Sequence, residues 1–451
     1  MNEGLSFQDT KNGGVVVALE IILGTTILSS SIYGFLAQHK KPNKDHEKII
    51  EIADSLGLKT KKESIRIYRK RQKKDHMEYV YKIPLGLSFN DFEKHKQTFI
   101  DGLNNKSSPD FQLSNFKDIK LNGNILEQIQ DAFNQRKPLD KQIELDYDGM
   151  LKFRVYDEGL KSKYNITTDI MKKGSKWSVP LGVKQNGIVE HDFESSPHML
   201  IGGATDTGKS TILNNTITTL LYNNPDDVEF TLIDLKGGLE FGDYENIKQT
   251  KNFATELEEA EEVLRKVKER MLSDFEMLRN KGKRKVQQAG IRKRHFVIID
   301  EAAELSTEGE QDKTIKALKV NCENHIKSIA ARGRACGIRL IYSTQYPTRE
   351  TINSQVKRNL IARVCLSVDT TIASQVVLDE GGAEKLPYLP GRAIYKRQKC
   401  TEMQSFFLDD DLLESIIKPH IKEGKRASTQ RKKPTTTRTD SPQLKEVGLS
   451  D

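Results

Sequence analysis

The eight residues Gly203 to Ser210, GATDTGKS, fit the pattern G-x-x-x-x-G-K-S/T and constrain this chain more than any other feature. The flanks decide their meaning. His198 to Ile201 form an apolar run suited to a buried strand, and helical periodicity begins at Ser210, so the eight residues are a loop between a strand and a helix. In that context the backbone N–H groups of Gly203, Ala204, Thr205, Asp206, Thr207 and Gly208 can wrap phosphates together with the helix N-terminus. Lys209 then reaches the outer phosphates, Ser210 offers a hydroxyl to Mg²⁺, and Thr211 continues the first turn. The implied ligands are ATP and Mg²⁺.

A second element supports the first. HFVIIDEAAEL places Asp300 at the end of a β-branched apolar run, 91 residues after Lys209. Asp300 suits the Mg²⁺ shell, and Glu301 suits activation of an attacking water. Paired acids ahead of AAEL also suit a helix N-cap, but the upstream loop favours catalysis. Two more runs fit one parallel sheet. VEFTLIDLKGG ends at Asp234 and Lys236, and IRLIYSTQ ends at Thr344 and Gln345. Polar groups at the carboxyl ends of parallel strands line the ligand crevice, which makes Gln345 a candidate sensor of the terminal phosphate.

At 451 residues the chain exceeds what one hydrophobic core serves, and two or more folding units are expected. Residues 14–37 form an apolar run of 24 residues, about 36 Å as a helix against about 30 Å of hydrocarbon. Glu20 interrupts it. Lys40, Lys41, Lys44 and Lys48 follow, so the expectation is a single N-out transmembrane helix with the rest of the chain in the cytoplasm. The predicted organisation is an extension at 1–13, the anchor at 14–37, a small α/β domain at 45–184, a motor-like α/β domain at 185–408 and a disordered basic tail at 421–451. Within the small domain, SIRIYRKR and MEYVYKIPL read as strands joined by a basic turn, and SFNDFEKHKQTFIDGLN reads as one capped helix. The cluster Arg66, Arg69, Lys70, Arg71, Lys73 and Lys74 faces anionic lipid, DNA or solvent. Seventy-two basic against 64 acidic residues leave +8, which favours polyanions only where the charge clusters. Four cysteines without a C-x-x-C pair argue against a disulfide framework or a zinc site.

Residues 177–400 resemble the FtsK/SpoIIIE family of ring-forming, ATP-driven DNA translocases. The likeness runs through WSVPLGVKQNG, SPHMLIGGATDTGKS, LIDLKGGLEF, IDEAAEL, ARGRACGIRLIYSTQYPTRETI, VKRNLIARVCLSV and VLDEGGAEKLPYLPGRAIY, in family order. The resemblance implies a RecA-like P-loop NTPase motor assembled as a homohexamer, with DNA in a central channel and ATP between subunits. It implies an arginine supplied in trans, for which Arg363 and Arg334 match and Arg332 is a third choice. It also places Lys357 and Arg358 in a channel loop that follows DNA phosphates. Asp206 and Thr207 stand where the family usually has Gly and Ser. The basic tail leaves no place for the winged-helix domain of chromosomal members, so the arrangement looks more like a coupling protein of Gram-positive conjugative plasmids and integrative elements. Such a protein would meet a relaxase, a membrane secretion channel and DNA. Alternatives are a chromosome or plasmid translocase in division or sporulation, a type VII protein-secretion ATPase, and a nucleotide-binding protein without turnover.

Overall fold

The computed structural model describes residues 45–61, 63–105 and 141–424. The chain separates into two compact units between Gly159 and Leu160.

The N-terminal unit holds helix α1 (Asp45–Ser55), strands β1 (Arg66–Gln72) and β2 (Met77–Lys82), helices α2 (Phe89–Glu93) and α3 (Lys96–Asn104), and strands β3 (Gln142–Tyr147) and β4 (Leu151–Tyr156). The strands form an antiparallel sheet in the order β1-β2-β4-β3. Alternate residues of the inner strands, Tyr79 and Tyr81 on β2 with Leu151, Phe153 and Val155 on β4, share a core with Ile49 of α1 and Phe99 of α3. Phe99 and Phe153 meet edge to face, 5.0 Å between centroids. Each such ring contributes about 1.5–3 kcal/mol by leaving water. The predicted helix from Ser88 to Asn104 is in fact two. Ser88 and Asp91 form a capping box that starts α2, and the His95 ring donates to the Asp91 carbonyl at 2.8 Å, which interrupts the helical ladder before α3.

The second unit runs through β5 (Tyr164–Asn165), α4 (Thr168–Met171), β6 (Ser178–Lys184), β7 (Gly187–Asp192), β8 (Met199–Gly202), α5 (Lys209–Asn223), β9 (Val228–Ile233), α6 (Gly242–Glu245), β10 (Thr250–Ala254) and α7 (Leu257–Asn280). It continues with β11 (Arg294–Ile299), α8 (Lys313–Arg332), β12 (Ile338–Thr344), α9 (Ser354–Asn359), β13 (Ala362–Leu366), α10 (Thr371–Leu378), β14 (Arg392–Lys396), β15 (Cys400–Phe407) and α11 (Asp410–Ile417). Its sheet has the order β10-β9-β11-β12-β8-β13-β14-β15-β6-β7, with β5 beside β15. The first six are parallel and the next four antiparallel. The parallel strands are apolar throughout because both faces are covered: on β11, Phe296 and Ile298 join one core while Val297 and Ile299 join the other.

This pairing moves the expected domain boundary from residue 184 to residue 159. β6 is an inner strand of the large sheet, hydrogen-bonded to β15 on one side and β7 on the other. The buried Asn215 of α5 donates to the Pro180 carbonyl at 2.8 Å, tying β6 to the central helix. Among the described residues no helix is long and apolar enough to cross a membrane. The anchor expected at 14–37 and residues 425–451 of the tail lie outside the described residues. All four cysteines are free.

Candidate functional site

β8 lies between β12 and β13, and β12 separates it from the acid-bearing strand β11. The loop after β8 therefore opens at the carboxyl ends of three parallel strands, where a crevice is expected. Its path is fixed by backbone contacts to both neighbours. Gly203 N–H donates to the Thr344 carbonyl at 3.3 Å, and Ala204 N–H to the Ser367 carbonyl at 3.0 Å. Thr205 and Asp206 are exposed at the tip.

Asp206 has φ 61° and Gly208 φ 99°. Aspartate is one of the few side chains that visit the left-handed region readily, so Asp206 can take the conformation that the family's usual glycine serves. Thr207 turns its hydroxyl inward, donating to the Ala204 carbonyl at 2.6 Å, a bond that serine would also make. Gly208 is needed for a second reason: a Cβ there would stand 2.7 Å from the Gly391 nitrogen.

Lys209, Ser210 and Thr211 form the first turn of α5. The Lys209 ammonium, 3% exposed, donates to Asp300 Oδ1 at 2.6 Å and to the Asp300 carbonyl at 2.7 Å. Removing one partner of such a buried pair typically costs about 3–5 kcal/mol. Asp300 Oδ2 is buried and makes no hydrogen bond. A buried carboxylate oxygen left unpaired costs on the order of 1–3 kcal/mol, an arrangement that suits a cation. Ser210 and Asp300 are thus the residues fit to hold Mg²⁺, which would neutralise phosphate charge.

Glu301 is 1% exposed yet fully engaged. Its carboxylate accepts from Thr344 Oγ1 at 2.7 Å, from Gln345 N–H at 3.0 and 3.1 Å and from Ala303 N–H at 3.3 Å, and it pairs with Lys236 Nζ at 3.3 Å. Gln345 is linked to the loop, its side-chain oxygen accepting from Thr205 Oγ1 at 3.2 Å. The structure therefore brings Lys209, Ser210, Asp300, Glu301 and Gln345 to one crevice. Beside it, Ala204, Gln345, Arg349, Asp369 and Thr370 help to line a cavity of about 420 Å³.

Other residues are placed elsewhere. Asp234 is buried and accepts the amides of Lys236, Glu240 and Phe241, so it shapes the loop after β9. Arg363, near the amino end of β13, donates to Asp379 and the Leu360 carbonyl. Arg334 is exposed in the turn before β12, and Arg332 bonds Ser328. No arginine named from the sequence bonds the phosphate loop of its own chain. Lys357 on α9 pairs with Asp379 at 2.7 Å, and Arg358 is exposed.

Sequence reasoning missed the clasp over the loop. Tyr388 OH donates to the Thr205 carbonyl at 3.0 Å, and Gly391 N–H to the Thr207 carbonyl at 2.7 Å. Both lie in the LPYLPGR stretch, whose adjacent Pro and Gly signal a turn without saying what it touches. The role of Lys236 opposite Glu301 was also unread, because no local pattern links positions 65 residues apart.

Residues 168–296 match the FtsK/SpoIIIE family model. The DNA translocase FtsK of Oceanobacillus iheyensis is 30% identical over 282 residues, 57% of this chain and 34% of that protein. The DNA translocase SpoIIIE of Bacillus subtilis is 30% identical over 297 residues, 60% of this chain and 35% of that protein. This chain thus spans about a third of the length of these curated relatives. A solved structure of the pCW3 conjugation coupling protein TcpA, in monomer form with ATPγS, superposes with a TM-score of 0.56 at 21% identity, covering 84% of this chain and 99% of that one. The crevice around Lys209, Asp300 and Glu301 has the layout of a P-loop nucleotide site, and residues 168–296, which carry its phosphate loop, are similar to the FtsK/SpoIIIE family.

Proposed function

We propose that this protein is an ATP-driven DNA translocase that acts as the coupling protein of a conjugative system, anchored in the cell membrane with its motor in the cytoplasm. The observation that carries the reading is the crevice itself: a lysine and a carboxylate paired under a phosphate loop, with a second, fully hydrogen-bonded carboxylate next to them. Lys209 binds the outer phosphates, Ser210 and Asp300 hold Mg²⁺, Glu301 takes a proton from the attacking water, and Gln345 reports the phosphate end to the segment after β12. The chain works as a homohexamer, in which Arg363 or Arg334 reaches the neighbouring subunit's ATP. Lys357 and Arg358 follow DNA phosphates in the channel. Relaxase and channel proteins are the further partners. Support for the conjugative role comes from the TcpA fold match, which extends over 84% of this chain and so beyond the motor.

The test is hydrolysis by the full chain with and without DNA. Stimulation by DNA, and its loss in Glu301→Gln with ATP binding retained, are expected; a wild-type protein that hydrolyses no ATP with or without DNA refutes the reading. A second reading, a chromosome translocase, is favoured by the names of the curated relatives. A mating assay separates the two: loss of DNA transfer on deletion of the gene, restored by wild type but not by Glu301→Gln, supports conjugation, and normal transfer with trapped chromosomes at the septum supports the second.

A further inference from the structure

Strand β1 lies at the edge of the N-terminal sheet, and all seven of its residues, RIYRKRQ, are exposed. Four are basic, and the turn that follows adds Lys73 and Lys74. Edge strands often carry charge to discourage pairing with other chains. Tyr68 runs against such protection. Its side chain is 72% exposed in the middle of the strand. The ladder is irregular there: register passes from Ile67 opposite Tyr81 to Arg69 opposite Val80, so Tyr68 falls at the irregularity with no register partner on β2. Side chains two apart on a strand repeat at about 6.7 Å. Arg69 and Arg71 therefore present cations at that spacing along the edge, Lys73 and Lys74 follow in the turn, and the Tyr68 side chain stands open to solvent.

We propose that β1 and its turn form a binding strand for single-stranded nucleic acid, in which Arg69, Arg71, Lys73 and Lys74 follow the phosphates and Tyr68 stacks on an unpaired base. An extended basic track with an interleaved aromatic side chain is the arrangement that binds single strands without reading sequence. A duplex would leave Tyr68 idle, because its bases are already stacked inside. A bilayer fits less well, since the hairpin tip, Lys73-Lys74-Asp75-His76, presents no apolar residue to insert and Asp75 opposes an anionic surface. Of the ion pairs that β1 makes, Arg66 with Glu63 at 3.4 Å is open to water, whereas Arg69 reaches the largely buried carboxylate of Glu78 at 3.4 Å and stays half exposed itself. The exposed Arg66 pair is weak and yields to a phosphate, and Arg71, Lys73 and Lys74 stand outside both pairs.

The choice of nucleic acid over lipid rests on the reading of the chain as a DNA motor, whereas the site itself does not involve ATP. The test uses the full chain and a fluorescent oligo-dT, its duplex with oligo-dA, and vesicles containing phosphatidylserine. Tyr68→Ala is expected to weaken oligo-dT binding roughly 5- to 100-fold and to leave duplex binding unchanged. Replacing Arg71, Lys73 and Lys74 by Gln is expected to lower the slope of log affinity against log salt by about 2 for the single strand. An unchanged oligo-dT affinity in Tyr68→Ala, or an equal loss on duplex, overturns the proposal, as does vesicle binding that falls with the same substitutions. Unstimulated ATPase activity is the control for folding and should not move. A chain that lacks DNA-stimulated hydrolysis yet loses oligo-dT affinity in Tyr68→Ala refutes the motor reading and keeps this one.

Discussion

Thr344 and Glu301 are joined by a buried hydrogen bond, the threonine hydroxyl donating to Glu301 Oε1 at 2.7 Å across the carboxyl ends of β12 and β11. Thr344 is wholly buried, so water cannot replace the bond. A hydrogen bond to a charged group contributes about 1.5–3 kcal/mol. Thr344→Val keeps the shape and removes the donor, and the remaining amide donors of Gln345 and Ala303 hold Glu301 less rigidly. The expected result is a kcat reduced roughly tenfold, the equivalent of about 1.4 kcal/mol, with KM for ATP little changed and recovery in Thr344→Ser. An equal loss in Thr344→Ser would show that the methyl packing, not the hydroxyl, matters.

Asp379 holds Lys357 and Arg363 with its two carboxylate oxygens, and so bridges a channel-loop candidate and a trans-arginine candidate. Burial pushes the Asp379 carboxyl up, but the hydrogen bonds from Lys357 and Arg363 outweigh it and hold the group below the usual carboxylate range. The residue caps α10 with φ 63°, a conformation that asparagine also accepts. Asp379→Asn therefore removes the charge without forcing the backbone. Because the carboxylate is about half exposed, stability should change by less than about 1 kcal/mol. On the proposed trans role of Arg363, steady-state hydrolysis by the full chain should fall several-fold with ATP affinity retained, since Arg363 loses the anchor that orients it. Nucleotide titration beside a turnover assay checks this, and an unchanged rate excludes the bridge from function.

Much of the crevice was legible because its parts are local. The loop, the two acids and Gln345 each sit at the end of an apolar run, and the sheet order brings those ends together. What escaped the sequence depends on pairing between distant segments. The strand Ser178–Lys184 alternates like any half-buried strand, and nothing nearby says that Gln404 and Ser405 are its partners. The clasp of Tyr388 and Gly391 over Thr205 and Thr207 spans nearly two hundred residues. The break at His95 was hidden because a side-chain bond from His95 to the Asp91 carbonyl, not a Gly or Pro, ends the first helix.

Three histidines of the second unit are buried neutral. Burial lowers the pKa of His191, His198 and His295 to about 3 each. Their bonds fit that state: Thr231 and Arg270 hold the two ring nitrogens of His295, and Leu340 N–H donates to His198 Nδ1 at 2.9 Å. A folded pKa below the unfolded value of about 6.5 means that the unfolded chain takes up protons first. The stability is therefore complete above pH 6.5 and declines as pH falls toward 3, by up to about 1.4 kcal/mol per pH unit for each histidine. Thermal melting of the second unit within the full chain should be level from pH 8 to 7 and fall steeply below 6. His295→Asn should flatten that fall; a slope equal to wild type would mean that His295 is not among the groups responsible.

Gly391 is the point where the clasp meets the loop. Its φ is 86°, and an added Cβ would lie 2.4 Å from Ser405 Oγ and 2.7 Å from Gln404 Nε2. Gln404 cannot move freely, because it also bonds the Pro390 carbonyl and Arg392. Gly391→Ala combines left-handed strain of about 1–2 kcal/mol with displacement of the turn from β15. The Gly391 N–H then no longer reaches the Thr207 carbonyl, and the tip of the phosphate loop loses its outer support. The melting temperature should drop by several degrees, and the affinity for ATP should fall further than that loss of stability alone explains, since the loop amides must be held in place to wrap phosphate. Calorimetric melting with and without ATP separates the two effects: a variant that melts lower but gains the same stabilisation from ATP as wild type would show that the clasp serves the fold and not the nucleotide.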